Sequence, residues 1–465
     1  MGWYLLGTLI PMGIGFFKTP IFTRYFTPEE YGYLGIITIT FSYISIFFYS
    51  WLAGCLWRYY NAYKNNNDLK NLYSNMLLIY LSASLLLLIV TVVWYFIAEN
   101  PIVKQLILLS FFQYFIKELI GLYLIVVRLK GKALKYNIIH SSRAILSFTL
   151  LYIMAFGYQY RITSVLTSAI LIDVIVLLFV IISSRSNVVF SFKSLSRKTL
   201  KILFKFGSIG LIANFCFLLI TSSDRYIIAL FNDMSTVGIY NQVYNISQLS
   251  IVALITVFYN TVNPKLNKEL EVNFEKSDRL ISKYIYIILL FGLPIVTYFS
   301  LFSKEMATIL LGEKFRSGYT IMPYVFISAL LYGLFMLIEI KFKFADKLKN
   351  IASGVIIASS LNLVLNFIFI PLYGYKWAAI TTLTSYFFLF IYFYAQDSVG
   401  FFKNPGYLNN IVIIISTLII QIIADYLIRQ YFSINVWQTI IEAILFSLMY
   451  FGLLRKQIVN IEIPV

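Results

Sequence analysis

The sequence predicts an all-α integral membrane protein of about fourteen transmembrane helices. Of its 465 residues, 60% are hydrophobic and only 12% are charged, and the mean hydropathy is +0.82, whereas soluble domains are about a quarter charged. Apolar runs of about 20 residues recur along the whole chain, and each is long enough to cross a hydrocarbon core of about 30 Å as a helix. The alternating pattern of a membrane barrel is absent.

Short loops connect the predicted spans, so no soluble domain of any size remains. The first run is short and lacks both a basic n-region and a small-residue cleavage site, which favours a retained span over a signal peptide. The predicted spans are Gly2–Phe17, Gly35–Gly54, Asn75–Ala98, Ile102–Val127, Leu134–Gly157, Ile162–Ile182, Leu203–Phe231, Val237–Val262, Tyr284–Phe302, Tyr319–Ile340, Ile351–Pro371, Trp377–Ala395, Leu408–Ile428 and Val436–Leu454.

A weak internal repeat predicts two pseudo-symmetric six-helix lobes followed by two extra C-terminal helices. Arg24-Tyr25 followed by Tyr31-Gly32-Tyr33 recurs later as Arg225-Tyr226 followed by Gly238-Ile239-Tyr240. Six spans are an even number, so both blocks have the same orientation and are related by an axis along the membrane normal. The predicted segments are an N-terminal lobe at 1–183, a cytoplasmic basic linker at 184–202, a C-terminal lobe at 203–396 and two extra helices at 397–465.

Lysine and arginine are distributed unequally between the two membrane faces. If the N-terminus is cytoplasmic, the inner loops carry 25 of them, the outer loops nine and the spans three. The positive-inside rule therefore predicts that both termini are cytoplasmic. The same asymmetry and the anionic lipid headgroups account for the net charge of +17, so nucleic acid is not a predicted partner.

The sequence favours neither a metal nor a cofactor. Cys55 and Cys216 lie in or beside apolar segments without ligand spacing, and His140 is the single histidine, so neither a disulfide framework nor a zinc site is expected. A glycine-rich loop with lysine that could cradle a nucleotide is also absent. Energy for transport would come from a proton or sodium gradient, the membrane potential or the substrate gradient.

Two charged residues lie near the midpoint of the apolar run Ile102–Val127. An ionisable side chain at that depth costs about 3 kcal/mol or more, so it usually faces a bundle interior and marks a substrate or ion path. Lys117 and Glu118 are adjacent, and adjacent helical side chains point about 100° apart, so the two cannot easily neutralise each other. At least one of them needs another partner.

Four stretches of the chain, taken in order, carry a family pattern. They are Thr19–Gly32; Ser223–Ile228 with Val237–Tyr240; Gly312–Phe315; and Leu361–Leu363 through Pro371–Tyr375 with Ala378-Ala379. Their succession resembles the Wzx-type polysaccharide flippases of bacteria, within the multidrug, oligosaccharidyl-lipid and polysaccharide exporter superfamily. The resemblance implies a two-lobed exporter fold and a location in the cytoplasmic, or inner, membrane.

The resemblance also implies a function and partners. Such a protein flips an undecaprenyl-pyrophosphate-linked oligosaccharide repeat unit from the inner to the outer leaflet by alternating access, for O-antigen or capsule biosynthesis. Its partners would be this substrate, membrane lipids, and polysaccharide polymerase and assembly proteins. It would not be an enzyme.

The pyrophosphate of that cargo requires cations in a water-filled cavity, since guanidinium binds phosphate oxygens as a bidentate fork and ammonium acts as a point charge. Arg24 and Arg225 match positions of the family motifs, and Arg58 follows span 2, where the family often carries an arginine. Lys117 and Arg143 are proposed on their intramembrane position alone. The predicted pyrophosphate ligands are thus Arg24, Arg58, Lys117, Arg143 and Arg225.

Structural ion pairs are the alternative for these cations. Arg143 could pair with Asp173 or Glu118, and Arg225 could pair with Asp224 or extend to the outer surface. Glu118 or Asp173 could instead exchange a proton or sodium ion as the cavity changes face. The sequence leaves ion pairing and ion coupling open for Glu118, Asp173 and Asp224.

Two polar stripes are candidates for binding the sugar. Span 8 carries Asn241, Asn245 and Gln248 on one helix face, and span 11 carries Asn362 and Asn366. Within lipid, such stripes must face protein or water, so they either join helices or line the cavity.

Two other functions are compatible with a polytopic membrane protein. A multidrug or metabolite exporter of the same fold, coupled to protons or sodium, commonly places an acidic residue in the first or seventh span; span 1 has none, and the buried excess is basic. A membrane glycosyltransferase or polymerase would need catalytic carboxylates or a large extracytoplasmic loop, and neither is evident. An anionic cargo is therefore favoured.

Overall fold

The computed structural model describes residues 2–184, 191–272, 274–396, 401, 405–431 and 436–455, and every regular element within them is helical. Residues 185–190 of the predicted linker lie outside the described residues. The α-helices are α1 Gly2–Phe22, α2 Pro28–Ser45, α3 Trp51–Asn65, α4 Leu69–Ile97, α5 Pro101–Leu129, α6 Ala133–Tyr152, α7 Ser164–Ser184, α8 Arg197–Phe231, α9 Met234–Val272, α10 Phe274–Leu301, α11 Ser303–Leu310, α12 Met322–Phe344, α13 Leu348–Tyr373, α14 Lys376–Gln396, α15 Pro405–Tyr431 and α16 Val436–Leu453.

The helices confirm the predicted all-α membrane fold. Among the described residues, 12 helical segments are long and apolar enough to cross a membrane. Two shorter apolar helices, Leu9–Phe22 and Trp437–Leu453, fall on the first and last predicted spans. Together they account for each of the predicted spans.

The second span is longer than expected and is interrupted. Helices α2 and α3 form one segment of 38 residues, Pro28–Asn65, joined by a π-helical turn at Ile46–Ser50. A second π turn, Ile153–Gly157, follows α6. Such turns break the regular ladder of hydrogen bonds and often accompany functional sites. The apolar pattern of Gly35–Gly54 gives no sign of the first of them.

Local capping explains where two helices begin. The Thr27 hydroxyl accepts from the Glu30 backbone N–H, and Glu30 Oε2 accepts from the Thr27 backbone N–H at 2.9 Å. This reciprocal capping box satisfies two donors that the first turn of α2 leaves without helical partners. At α9, the Thr236 backbone N–H donates to Asp233 Oδ1 at 2.7 Å. That bond favours the charged carboxylate and lowers the pKa of Asp233.

The chain forms two compact units, Met1–Gly238 and Ile239–Val465. Helix α8 belongs to the first unit, where it packs on α2, α3 and α4. The division therefore falls within α9 and not at residues 184–202. The predicted lobes describe a pseudo-symmetry, which this division does not test, so the four predicted segments stay a prediction.

Helix α5 is central in the first unit. It contacts α2, α3, α4, α6 and α7, while α1 packs on α6. One apolar cluster lies between α5, α6 and α7 and includes Ile120, Ile139 and Ile172. This packing places the middle of α5, which carries Lys117 and Glu118, among the other helices of the first unit.

In the second unit, α10 joins the C-terminal helices to the others. It contacts α12 and α15, and α12 in turn contacts α13 and α14. Tyr298 and Phe446 pack together, and Gln421 Nε2 donates to the Phe446 carbonyl at 2.9 Å. The Tyr450 hydroxyl donates to the Leu290 carbonyl at 2.7 Å. These buried polar contacts anchor α15 and α16 on α10.

Candidate functional site

Lys117 lies two residues from the middle of α5 and is exposed. Its Nζ lies 4.9 Å from the centre of the Tyr114 ring. Tyr114 is itself held by α2, since its hydroxyl lies 2.6 Å from Ser42 Oγ. Among the described residues, Lys117 forms no ion pair. Its ammonium group is therefore available to an anion.

The exposed side of Lys117 is separate from the other exposed side of α5. Phe112 is 51% exposed, and it points about 140° away from Lys117 around the helix. Ile116 and Ile120 separate the two on one side, and both are buried against α6 and α7. Tyr114, which is buried against α2, lies on the other side. A spanning helix that is open in two sectors can face lipid with one and a water-filled space with the other.

Gly121 confirms that the Lys117 side of α5 is open. It lies one turn beyond Lys117 and points about 40° away, and a Cβ added there would have nothing within 4 Å. Gln113, one turn before Lys117, is half-buried. Residues 113, 117 and 121 thus form a stripe along the middle of α5 with two polar side chains and open space beside the glycine, which we call the Lys117 face.

Glu118 turns toward α2 instead of Lys117. The Ser45 hydroxyl donates to Glu118 Oε1 at 3.2 Å, next to the π turn at Ile46–Ser50. The structure contains no ion pair between Lys117 and Glu118, which agrees with the 100° between adjacent helical side chains.

Arg143 and Asp173 form an ion pair between α6 and α7. Arg143 Nε and Nη2 each lie 2.8 Å from one carboxylate oxygen of Asp173, and the side chains are 17% and 7% exposed. This bidentate geometry is the strong form of such a pair. It is the structural alternative that the sequence left open, and it occupies both charges in this conformation.

Arg225 and Asp224 are also paired, in α8. Arg225 Nη1 lies 2.7 Å from Asp224 Oδ1, with side-chain exposures of 3% and 0%, and it also donates to the Thr221 carbonyl. The adjacent Tyr226 hydroxyl lies 2.5 Å from Thr40 Oγ1 of α2. Motif residues 224–226 thus anchor α8 inside the first unit, and Arg225 is closed to cargo in this conformation.

The remaining two predicted cations are exposed. Arg24 follows α1 and donates to the Pro20 carbonyl, whereas Arg58 lies on α3 beside the exposed Trp57. Sequence reasoning missed the role of Glu30 in the same Thr19–Gly32 motif as Arg24. Its two oxygens accept from Arg161 Nε and Nη2 at 2.9 and 3.2 Å. The capping box around Glu30 was the signal that could have singled it out.

A second missed group lies at the opposite end of the first unit. Arg128, in the last turn of α5, has its guanidinium carbon 5.3 Å from the ring centres of both Trp57 and Tyr136. Arg128 is exposed, and Trp57 is 48% exposed. On α5, Arg128 lies within about 20° of Lys117 around the helix axis. The sequence prediction ended the span at Val127 and counted Arg128 as a loop charge.

The two copies of the internal repeat meet directly in the structure. A Cβ added to Gly32 would overlap the Met234 carbonyl oxygen, and one added to Gly238 would overlap the Pro28 carbonyl oxygen. The first turns of α2 and α9 therefore touch backbone to backbone, which only glycine allows. The motif glycines have a packing role at this crossing.

The polar residues proposed for the sugar differ in their surroundings. On α9, Asn241 is buried and Asn245 is exposed, with Asn245 Nδ2 3.5 Å from Asn241 Oδ1. Gln248 is half-buried. On α13, Asn362 and Asn366 are both 0% exposed. Only Asn245 and Gln248 are thus open in this conformation.

Asn362 and Asn366 belong to a buried network between α13 and α14. Asn366 Nδ2 donates to Asn362 Oδ1 at 2.9 Å. Asn362 Nδ2 lies 3.5 Å from Thr382 Oγ1, and the Thr381 hydroxyl donates to Asn366 Oδ1. This is the helix-joining role that the sequence left as one alternative.

The described residues hold no group of three or more His, Cys, Asp or Glu side chains spaced to bind a metal ion. Cys55 and Cys216 are both buried free thiols.

Comparisons with solved structures identify the fold. The lipid II flippase MurJ in its inward closed conformation superposes with a TM-score of 0.77 at 14% identity, covering 99% of this chain and 100% of that one. A multidrug resistance MATE family transporter of the MOP superfamily superposes in its inward-facing form with a TM-score of 0.66 at 14% identity, over 88% and 98% of the two chains. An outward-facing structure of a MATE family transporter superposes with a TM-score of 0.59 at 12% identity, covering 88% of this chain and 94% of that one.

Sequence comparison identifies the family. A search of curated proteins finds no match, but the family model described as polysaccharide biosynthesis protein matches residues 1–268. That range contains the predicted Arg24 and Arg225 motifs, the two glycines that meet at the helix crossing and the whole Lys117 face. Because the match covers more than half of a chain that folds like flippases and MATE transporters, the protein belongs to the polysaccharide biosynthesis protein family of membrane proteins.

Proposed function

We propose that this protein flips an undecaprenyl-pyrophosphate-linked oligosaccharide repeat unit from the inner to the outer leaflet of the bacterial cytoplasmic membrane by alternating access. The family supplies the link to polysaccharide biosynthesis. The observation that carries the proposal is the Lys117 face, which presents a cation near the middle of a spanning helix, without an ion pair among the described residues and beside open space.

The charge of Lys117 favours an anionic cargo. A cation at this depth is retained where it meets a counter-charge, and the two other predicted intramembrane cations, Arg143 and Arg225, already meet theirs in Asp173 and Asp224. A pyrophosphate brought to Lys117 would supply the missing negative charge. We therefore assign pyrophosphate binding to Lys117, and we leave both ion pairs out of the cargo site.

A basic cluster at one end of the first unit supports entry of the cargo there. Burial, followed by the charges of Lys132, Lys135 and Lys64, lowers the pKa of Lys130. These residues lie at the end of α3 and around the start of α6, on the same side as Arg128. Mutually repelling ammonium groups attract anions, including phosphate headgroups. By the positive-inside rule this end is cytoplasmic, which is the leaflet where the cargo would be loaded.

The group around Trp57 fits the sugar of the cargo. Arg128 is held over the Trp57 and Tyr136 rings, and the exposed Arg58 follows Trp57 in α3. Aromatic faces pack against the apolar faces of sugar rings, and guanidinium groups donate hydrogen bonds to hydroxyls. The exposed Trp57, with arginines beside it, could therefore bind a saccharide during entry.

The rival function is a multidrug or metabolite exporter driven by protons or sodium. The MATE likeness supports that fold but not that cargo, because the identity is only 14%. Helix α1 contains neither Asp nor Glu, and the exposed intramembrane charge is positive. Both observations favour an anion over a cationic drug. Whichever cargo applies, we propose transport without catalysis, with a proton, sodium ion or the membrane potential as the energy source.

A first experiment identifies the cargo. The gene is deleted in its native host, and lipid-linked oligosaccharides are extracted and assigned to a leaflet. We expect a completed repeat unit to accumulate in the cytoplasmic leaflet, with loss of surface glycan that the wild-type gene restores. An unchanged lipid pool together with new sensitivity to cationic drugs would instead establish the exporter.

A second experiment tests whether the Lys117 face is wet. Lys117→Cys and the matched control Phe112→Cys are made in a chain whose buried cysteines are replaced by serine. We expect a hydrophilic thiol reagent to label position 117 in membranes and to leave position 112 unlabelled. Equal protection of both positions would mean that Lys117 faces lipid, and would remove it from the cargo site.

A further inference from the structure

Three carboxyl groups surround one guanidinium where α11, α15 and α16 meet in the second unit. Arg429 Nε lies 2.7 Å from Asp425 Oδ1, and Arg429 Nη1 lies 2.7 Å from Glu305 Oε1. Glu442 of α16 faces this group, and the Asp425 carboxyl is the charged neighbour that acts on it most strongly. No function proposed above uses these residues.

Glu442 is buried and lacks a hydrogen-bond donor. Glu442 is only 7% exposed, and neither of its carboxylate oxygens has a hydrogen-bond partner. Arg429 Nε and Nη1 donate to Asp425 and Glu305, and Arg429 Nη2, which has no hydrogen-bond partner, does not reach Glu442 within hydrogen-bond distance. The neighbour that Glu442 does have, Asp425, can only accept hydrogen bonds while it is ionised.

The charges of this group do not balance. With all three acids ionised, it would carry two excess negative charges, about 9 Å from the ends of α15 and α16. A buried carboxylate without a donor is strongly disfavoured. Two facing carboxyls resolve this by sharing one proton, as acid dyads do, because the protonated member becomes a donor to the ionised one.

We propose that Glu442 and Asp425 form a proton-binding site in which Glu442 carries the proton at neutral pH and donates it to Asp425. The groups that face Glu442 are Asp425 and Arg429 on α15 and Glu305 on α11. A proton fits better than a metal ion, because the described residues provide no group of three or more His, Cys, Asp or Glu side chains that could hold a metal ion, and the centre of this group is occupied by the Arg429 guanidinium.

The packing around the site holds the two carboxyls together. The Tyr298 hydroxyl of α10 lies 2.8 Å from Gln421 Oε1 and 3.0 Å from the Phe446 carbonyl oxygen. Gln421 precedes Asp425 by one turn, and Phe446 follows Glu442 by one turn. The contact between Glu442 and Asp425 is therefore fixed by a buried network on either side of it. The site lies on the two helices that fall outside the predicted two-lobed repeat.

Infrared spectroscopy of the full-length protein in lipid tests the proposal. We expect a protonated carboxyl C=O band at neutral pH that disappears at high pH, and that is lost at neutral pH in Glu442→Gln. The amide keeps the size of the side chain and can donate to Asp425, so the variant should fold. Glu339→Gln is the matched control, because Glu339 pairs one to one with Lys343 and should leave the band unchanged.

Absence of the band in the wild-type protein at neutral pH would overturn the proposal, and this measurement depends on no variant. A band that persists unchanged in folded Glu442→Gln would overturn it as well. If Glu442→Gln does not fold, Asp425→Asn replaces it. In Asp425→Asn, Glu442 remains protonated but faces an amide, so we expect the carboxyl band to shift in frequency. An unshifted band would contradict the shared proton. The measurement involves no cargo, so its result is independent of the proposed flipping.

Discussion

Replacing Lys117 by methionine distinguishes two interpretations of this residue, a cation that binds cargo and a charge that faces lipid. Methionine keeps the length and the apolar stem of the side chain and removes only the ammonium group. If the Lys117 face lines a water-filled path, the charge binds cargo and contributes little to folding. If that face meets lipid, the charge destabilises the protein, and its removal should increase the free energy of unfolding.

The structure gives the size of each effect. The contact of Lys117 with the Tyr114 ring, at 4.9 Å, contributes about 0.5–1 kcal/mol at an exposed site, so folding should weaken only slightly. A charged hydrogen bond to a pyrophosphate is worth about 1.5–3 kcal/mol, which corresponds to a loss of about 10- to 150-fold in transport efficiency. A lysine facing lipid at this depth would instead cost about 2.5–3.5 kcal/mol.

Two assays on the purified protein read these effects separately. Flipping of a fluorescent lipid-linked oligosaccharide in vesicles measures transport, and thermal unfolding in the same lipid measures stability. Phe112→Met is the control for the opposite side of α5 and should change neither by much. A Lys117→Met protein that is clearly more stable and still flips cargo at the wild-type rate would refute the assignment of Lys117 to a cargo path.

Three further predictions concern the same unit. Gly121→Leu should fill the open space beside Lys117 and block transport of a normally folded protein, whereas Gly121→Ala should be tolerated, and comparing their flipping rates checks this. Gly238→Ala should place a methyl group against the Pro28 carbonyl and destabilise the fold by at least about 1–3 kcal/mol. The control Gly13→Ala, where an added Cβ has nothing within 4 Å, should leave stability unchanged, and thermal unfolding of both variants measures the difference. Leu195→Cys should react only with reagents added from the cytoplasmic side, and external labelling would reverse the proposed topology.

The sequence identified the exceptional residues better than their partners. Lys117 and Glu118 stand out because charges are rare within apolar spans, and this rarity needs no tertiary information. Their partners depend on which helices lie beside α5, and one sequence does not give that neighbourhood. The bonds from Ser45 to Glu118 and from Lys117 to the Tyr114 ring could therefore not be predicted.

Span positions were predicted well and span ends poorly, for one physical reason. Hydropathy marks the part of a helix that lies in hydrocarbon, but α8 begins at Arg197, before the predicted Leu203, because a helix can continue into water. Arg128 was excluded from its span by the same error. The π turn at Ile46–Ser50 leaves no mark in hydropathy, because it changes the hydrogen-bond ladder and not the composition.

The predicted polar stripes show how far periodicity alone can be interpreted. Spacing places Asn362 and Asn366 on one face of α13, and they do share it. Spacing cannot say whether that face meets water or another helix. Thr381 and Thr382 of α14 decide the matter in this structure, and their contribution becomes visible only once the two helices are packed together.

The pair Arg143–Asp173 allows a decisive test of what a buried charge does in this protein. Both carboxylate oxygens are held at 2.8 Å, so removing either partner should leave an uncompensated charge and cost about 3–5 kcal/mol. Replacing both, with Arg143→Met and Asp173→Leu, should restore most of that stability, because apolar side chains of similar volume often substitute for a buried pair. We expect the double variant to flip cargo normally, since each charge serves the other. If the double variant folds but does not transport, the pair must open during the cycle, and Arg143 or Asp173 then returns to the set of residues that bind cargo or a coupling ion.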